Sequence, residues 1–372
     1  MPLTFSPEQV AFREAVRSFL ADKSPEDEVR RLMATDTGYD PAVWAQLNEQ
    51  LGAAGLAVPE EYGGSGYTFR ELAIVLEEAG RSLLCAPLLS SVLASSAILA
   101  AGDAPAAKEL LPGIAQGDTI ATVAFTHAGR DWDDQGATAS ARPADDGRSW
   151  TVSGTAAYVI DGHTADLIVV PARTPGGLSM FAVRADAAGL TRTLLPTLDQ
   201  TRKLARLDFS AVPARLLGPE GAAAGAIDHA RLVAVAALAS EQAGVAEAAK
   251  EMAVGYAKER IQFGQPIGQF QAIKHKCADL HVAAESAKSA AYAAAAAITE
   301  NPDDLAEIIA VAGSFCSEAC LLAGHENIQI HGGLGFTWEY PAHLYYKRAK
   351  SSEFLFGDVE HHREILAAEI GL

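Results

Sequence analysis

Apolar residues recur every three to four positions from Pro7 to about Asp22, the spacing of a helix that buries one face. Ser6 stands before Pro7 and three residues ahead of Gln9, which supplies an N-cap, a proline at the first helical position and a capping box. Asp40-Pro41 repeats the start signal before Ala42 to Gly55, and Thr68 to Gly80, Pro87 to Ala101 and Pro105 to Gly117 each carry helical periodicity that closes at or near a glycine. Residues 1–117 are therefore predicted as a helical domain.

From Thr119 to about Leu217 the pattern changes to short β-branched runs separated by Gly, Asp and Pro. No helical segment of 10–15 residues lies between these runs, so βαβ units and a Rossmann domain are disfavoured. Residues 118–218 are predicted as an antiparallel β domain. Beyond Gly218 the helical period returns over Ala222 to Lys258, Gln269 to Thr299 and Asp303 to Gly324, then over shorter segments near Tyr340 to Ser351 and Val359 to Ile370. Helices of that length pack as a bundle, which assigns 219–372 to a C-terminal helical domain. The fold class is mainly α with a middle β domain.

The chain's 372 residues allow two or three domains. Acidic residues exceed basic ones to give a net charge of −18, a surface that repels nucleic acid and anionic lipid. Glu8, Arg13, Glu14 and Arg17 interrupt what would be the apolar core of a signal peptide. The most apolar runs, Leu232 to Ala239 and Ala290 to Ile298, are shorter than the ~18 residues of a membrane span, so a soluble, cytoplasmic protein is expected. Four scattered cysteines, Cys85, Cys277, Cys316 and Cys320, make no disulfide framework. Cys316 and Cys320 are four apart on a predicted helix without further ligands at metal spacing, and core packing is the better reading.

Two glycine clusters are the first chemical candidates: Tyr62 to Gly66 and His331 to Gly335. Neither follows a predicted strand, so neither is a dinucleotide fingerprint. Gly332 and Gly333 sit between helices, where amides without a Cβ nearby can approach a phosphate or ribose, or where a helix simply ends. There is no GxSxG elbow, Walker loop or HExxH helix.

Arg260-Ile-Gln-Phe263-Gly-Gln-Pro-Ile-Gly-Gln-Phe-Gln271-Ala272 breaks the helical domain between two long helices. This run resembles the RxxFGxPIxxFQA signature of the acyl-CoA dehydrogenase family, and Ile328 to Thr337 with Glu339-Tyr340-Pro341 resembles a second family motif. Gly55 to Gly80 is similar to the family's N-terminal helical signature, so the resemblance covers essentially the whole chain. It implies an N-terminal helical domain, a middle β domain and a C-terminal four-helix bundle, assembled as dimers or tetramers with FAD between subunits. It also implies α,β-dehydrogenation of an acyl-CoA thioester, with a glutamate as base, flavin as hydride acceptor and electron-transferring flavoprotein as electron acceptor. Carried across by motif, Arg260, Phe263, Gln271, Gln329, Gly332 and Gly333 would hold the FAD pyrophosphate and adenosine across the subunit interface, and Thr126 would contact flavin. Arginine suits a pyrophosphate because its planar fork pairs with phosphate oxygens.

The same alignment exposes departures. The family's YEGTSEIQR-like run reads Leu355 to Arg363 here, with Phe356 at the glutamate. The other location of the base, an ERL-like run, reads Ala230-Arg231-Leu232. Neither side chain accepts a proton, and a general base contributes ~10²–10⁴-fold. The TEPxAGSD segment becomes Thr126 to Asp131, and the threonine of the WITN strand becomes Ile160. What a subunit offers to its neighbour's flavin is kept, and what serves its own is eroded. No catalytic and no metal-binding residue is therefore assigned. The expectation is a partner subunit in a heterotetramer with a paralogous acyl-CoA dehydrogenase, a type known among actinobacterial enzymes of steroid side-chain breakdown. The alternatives are a homodimer or homotetramer whose base has moved to Asp358, Glu360 or His361, a member with different acyl-CoA chemistry, and a non-enzymatic assembly subunit. His275 and His281 are expected to be structural, and Tyr67 and Trp338 to be packing residues.

Overall fold

The computed structural model describes residues 5–125, 139–144 and 149–372. Helices open where the caps place them. In α1, Pro7–Lys23, the Ser6 side chain accepts from the Gln9 amide while the Gln9 side chain accepts from the Ser6 amide. In α3, Pro41–Leu51, Asp40 caps the first turn and Gly52 ends the helix at φ 61°, a left-handed conformation that costs glycine little. Between them lies α2, Glu26–Met33, which periodicity did not reveal. Its eight residues begin with Glu26, Asp27 and Glu28 and end near Arg30 and Arg31, so its ends are matched to the helix dipole rather than to a long apolar stripe. The N-terminal third continues through α4, Phe69–Arg81, α5, Leu88–Ala100, and α6, Ala104–Ala115.

The chain divides into two compact units, one of residues 32–68 and 85–234, the other of 1–31, 69–84 and 235–372. The first holds the strands β1 (Ala121–Val123), β2 (Ser140–Pro143), β3 (Trp150–Ile160), β4 (Leu167–Thr174), β5 (Gly177–Arg184), β6 (Leu190–Leu194) and β7 (Leu204–Leu217). Pairing runs full circle through β4, β2, β3, β7 and β5, with β1 added to β4 and β6 to β7. Inside this ring Val152, Ala156, Ile168, Val170, Phe181, Val183, Leu207 and Val212 form an apolar core. The pairing is not wholly antiparallel, as the sequence led one to expect: β1 runs parallel to β4, with Ala121 opposite Leu167, and β2 meets β4 in parallel at Ser140 and Arg173. The long path from β1 to β4 through the β2–β3 hairpin supplies the crossover a parallel pair needs.

The second unit contains α1, α4 and the helices α7 (Ala224–Glu259, from Val235 on), α8 (Gln271–Glu300), α9 (Leu305–His331), α10 (Ala342–Ser352) and α11 (Val359–Glu369). Its tightest contact is between α4 and α7. A Cβ on Gly80 would lie 2.0 Å from the Glu241 carbonyl oxygen, and one on Gly244 would lie 1.8 Å from that of Glu77. Beside this crossing three glutamates are buried, each against an arginine of another helix. Glu77 takes Arg13 of α1 at 2.8 Å and the Tyr292 hydroxyl at 2.8 Å; Glu78 takes Arg17 of α1 at 2.7 Å; Glu241 takes Arg348 of α10. Burial pushes the Glu77 carboxyl upward, against the pull of Arg13 and the Tyr292 hydrogen bond.

Helix α9 runs beyond Gly324, where the periodicity suggested an end, to His331. Gly324 serves packing instead, since a Cβ there would meet the Tyr346 backbone of α10 at 2.9 Å. Both α7 and the segment from Leu305 to Phe336 are long and apolar enough to cross a membrane by length and composition, which shorter runs had not suggested. In the apolar windows of these two helices 83% and 56% of residues are buried in the fold, as in core helices of a bundle. Asp358 caps α11 through the His361 amide at 2.9 Å, and His362 is buried with its ring against Gly313.

Gly244→Ala should lower stability by roughly 1–3 kcal/mol through over-packing and drop the melting temperature by several degrees, whereas Gly255→Ala, with nothing near its Cβ, should not. Differential scanning calorimetry on the two variants checks this. Burial, then the neighbouring His361 charge, pushes the His362 imidazole from 6.5 down to about 4. The unfolded chain thus binds the extra proton first, and stability should fall as pH drops from about 6.5 to about 4. His362→Gln should flatten that fall in urea titrations at pH 7 and pH 4.5.

Candidate functional site

Helix α7 ends at Glu259, and Arg260 begins a two-residue hairpin of β8, Ile261–Gln262, with β9, Gln265–Pro266. Its turn residues Phe263 and Gly264 both have positive φ, 53° and 79°, the mirror-image turn that suits a tight hairpin. A phenylalanine in that conformation is strained, and here its ring is 91% exposed. The Ile267 amide donates to the Arg260 carbonyl at 2.8 Å, and Phe270 lies edge-on to Phe263 at 6.0 Å, so the tip is braced from behind. Helix α8 then starts at Gln271, exposed, with its amide 3.5 Å from the His275 ring.

The C-terminal end of α9 arrives beside this hairpin. His331 is buried and stacks on Tyr256, one turn before Arg260, at 4.2 Å and 25°. Its Nδ1 lies 2.8 Å from the Asn327 carbonyl and donates to it, a geometry that fixes the tautomer. Tyr340 closes the cluster at 5.4 Å from His331 and 6.1 Å from Tyr256. Behind it Ala253, Ala257, Leu280, Ala284, Ala323 and Ile330 form the core that joins α7, α8 and α9. Gly332 follows at φ 63° and ψ −142°, a region reserved for glycine, and its amide donates to the Gln329 carbonyl.

Six of the seven residues carried over by motif therefore lie at one end of these three helices. Arg260, Phe263, Gln271, Gln329, Gly332 and Gly333 are all exposed. No atom lies within 4 Å of a Cβ position on Gly264, Gly332 or Gly333, and among the described residues Arg260 has no ion-pair partner. An unpaired guanidinium, side-chain amides and a Cβ-free, exposed backbone at Gly332 and Gly333, beside an exposed ring, suit a dinucleotide cofactor such as FAD. Thr126 and the segment to Asp131 lie outside the described residues.

The positions that the motifs assign to the substrate proton, Phe356 and Ala230, and to the chain's own flavin, Ile160, are apolar. Phe356 is 8% exposed and held at φ 59°, Ala230 is buried in α7, and Ile160 is buried at the end of β3, its carbonyl accepting from the Thr122 hydroxyl at 2.7 Å. Asp358, the carboxylate nearest Phe356 in sequence, is engaged as the α11 cap. Within β3, Tyr158 sits at a register shift with φ 58° and is exposed, and Asp161 at φ 52° accepts from Ser90 at 2.7 Å.

Several side chains differ from expectation. Tyr67 and Trp338 are exposed at 58% and 61%, though the Trp338 ring meets His343 edge-on at 4.7 Å; His275 and His281 lie exposed on α8. Phe336 is exposed too, and Lys347 lies over the Trp338 ring at 4.6 Å. An aromatic reads as core in any single chain, and no local spacing distinguishes a surface that another molecule covers. The bracing by Tyr256 and His331 also escaped sequence reading, since 75 positions separate them.

Residues 6–118 match the family model for the acyl-CoA dehydrogenase N-terminal domain and residues 221–371 that for the C-terminal domain. The acyl-CoA dehydrogenase IpdE2 of Mycobacterium tuberculosis is 38% identical over 359 residues, 96% of this chain and 95% of that one. Among solved structures, the Tcur3481-Tcur3483 steroid ACAD superposes with a TM-score of 0.89 at 32% identity, covering 98% of both chains. The ChsE4-ChsE5 complex of Mycobacterium tuberculosis gives 0.89 at 26% identity over 100% of this chain and 99% of that one. From Ser6 to Gly371, by its helical bundle as by its motifs, the chain belongs to the acyl-CoA dehydrogenase family.

Proposed function

We propose that this chain is the subunit without a catalytic glutamate in a heteromeric acyl-CoA dehydrogenase, and that Arg260, Phe263, Gln271 and the Gln329 to Gly333 turn reach an FAD whose base stands on a paralogous chain. The observation that carries this reading is a mismatch within one molecule. The exposed donor set at the α7–α9 end is intact, whereas Phe356 and Ala230 put buried hydrocarbon at both positions of the family's base. Bound FAD supplies the acceptor for two electrons and the β-hydrogen of the acyl chain. Arg260 would pair with the pyrophosphate, the Cβ-free backbone of Gly332 and Gly333 would leave room for ribose or phosphate, and Phe263 would cover an apolar face of the cofactor. The partner's carboxylate takes the α-proton, giving a 2,3-enoyl-CoA, and electrons pass on to an electron-transferring flavoprotein.

A substrate with a steroid-derived acyl group is favoured by the relatives, among them a steroid enzyme named for two gene products and a two-component complex. A reducing cytoplasm is consistent with four free cysteines among the described residues. A homomeric enzyme with Asp358 as base is disfavoured because that carboxylate already caps α11.

Purified alone, the chain should hold well under one FAD per polypeptide, and any flavin present should not bleach in an anaerobic titration with acyl-CoA thioesters. Stoichiometric flavin that bleaches would overturn the proposal. Co-expressed with a glutamate-bearing acyl-CoA dehydrogenase chain, it should yield a flavin-loaded complex, and Arg260→Ala in this chain should weaken FAD binding about tenfold or more, as expected for a lost charge-assisted pair.

A further inference from the structure

Helices α7 and α9 face each other at a fixed offset. Gln242 Nε2 donates to Ser317 Oγ at 3.0 Å, Asn327 Nδ2 donates to Met252 Sδ at 3.3 Å, and Tyr256 stacks on His331 at 4.2 Å. In all three pairs the α9 residue stands 75 positions after its partner, so the two helices run in the same direction in one register. From Met252 to Tyr256, and from Asn327 to His331, the step is four residues, one turn along the same face of each helix. Four residues beyond Tyr256 stands Arg260, whereas on α9 the helix has stopped at His331 and the chain reverses at Gly332. The pair of Tyr256 and His331 is therefore the last of these contacts before the two motifs part.

Each motif folds back onto one ring of this pair. Beyond the reversal at Gly332 the backbone returns so closely that a Cβ on Gly335 would lie 2.9 Å from the His331 Cβ. On the other side the Arg260 amide donates to the Tyr256 carbonyl at 2.9 Å, and a Cβ on Gly268, just past the hairpin, would lie 2.8 Å from the Ala257 carbonyl oxygen. Burial lowers the imidazole from its ordinary 6.5, against the pull of the Asn327 hydrogen bond, so at neutral pH two uncharged rings are stacked.

We infer that Tyr256 and His331 are positioning residues for the cofactor, which hold Arg260 and the Gln329 to Gly333 turn at the spacing that lets one dinucleotide engage both. The inference rests on the shared-FAD reading above and adds what makes its two motifs a single site. Two exposed segments from different helices, each free to shift, would lose that freedom on binding, and segments already locked together lose little. A stacked aromatic pair carries a factor of about two to ten in an equilibrium beyond the area it buries, and here that factor falls on the alignment of the two segments.

The test uses the complex of this chain with a glutamate-bearing acyl-CoA dehydrogenase chain and follows FAD release by the rise in flavin fluorescence on dilution. Tyr256→Leu removes one ring, and His331→Gln keeps a donor for the Asn327 carbonyl without a ring; each should speed release about fivefold to tenfold. Tyr256→Phe keeps the ring without the hydroxyl and should release FAD within about twofold of the unaltered complex. Circular dichroism of each variant chain alone checks that the bundle is folded, and His331→Gln serves where Tyr256→Leu does not fold. Because the pair acts through Arg260, Tyr256→Leu added to Arg260→Ala should speed release by much less than the product of the two separate effects. Release at the unaltered rate from both ringless variants, or effects that multiply in full with Arg260→Ala, would overturn the positioning role. Arg260→Ala separates the two ideas. Flavin retained there would sink the shared-cofactor reading and this inference with it, whereas flavin lost there but held by Tyr256→Leu and His331→Gln would sink the role of the pair alone.

Discussion

The close passage of α4 over α7 sets the geometry of the bundle. Without side chains at Gly80 and Gly244 the two backbones meet at a separation that any Cβ would forbid, and the carboxylates of Glu77, Glu78 and Glu241 are drawn in beside them. Removing three carboxylates from water is costly, and pairing with Arg13, Arg17 and Arg348 offsets that cost more than it adds stability. What the pairs contribute is register. Each ties α4 or α7 to a helix from a distant part of the sequence, and the Tyr345 hydroxyl adds a bond to the Arg81 carbonyl at 2.9 Å. With α7 fixed, its last turn carries Tyr256 and Arg260 to one place, and α9 is fixed on α7 in turn by Gln242 and Ser317 at 3.0 Å.

The elements that sequence revealed best are those whose ends are chemically marked. Ser6, Asp40 and Asp358 are all N-caps in the structure, because a cap is a local event between residues two or three apart. The end of α9 was misread at Gly324 because a glycine that serves helix packing looks the same as one that ends a helix. The parallel pairing of β1 with β4 left no local trace, since it depends on where the chain returns after more than forty residues. Helix α2 was missed for a third reason: eight residues dominated by charge give periodicity too little length to register.

The candidate site divides along the same line. The residues assigned to the cofactor fall in two motifs that local sequence marks, since a hairpin turn at Phe263-Gly264 and a chain reversal at Gly332 each need particular residues in sequence. The cluster of Tyr256, His331 and Tyr340 that brings those motifs together was not legible, since stacking between residues on α7, α9 and the segment before α10 belongs to the tertiary fold.

Around Phe356 the backbone holds an unusual shape. Phe356 and Gly357 both have positive φ, 59° and 112°, and strain of that kind survives only where its surroundings hold it. Here the holding is visible: a Cβ on Gly357 would lie 2.5 Å from the His361 ring and 3.1 Å from that of His362, and α11 is started immediately afterwards by Asp358. The turn is thus maintained by packing at the start of α11, independently of what residue 356 does. On the proposed reading, an apolar residue there forgoes proton transfer and leaves the fold intact, whereas loss of Gly332 or of the Phe263-Gly264 turn would disturb the surface offered to the cofactor. The two ends of the bundle are thus held by separate local constraints, packing at the start of α11 for the one and turn geometry at Phe263-Gly264 and Gly332 for the other.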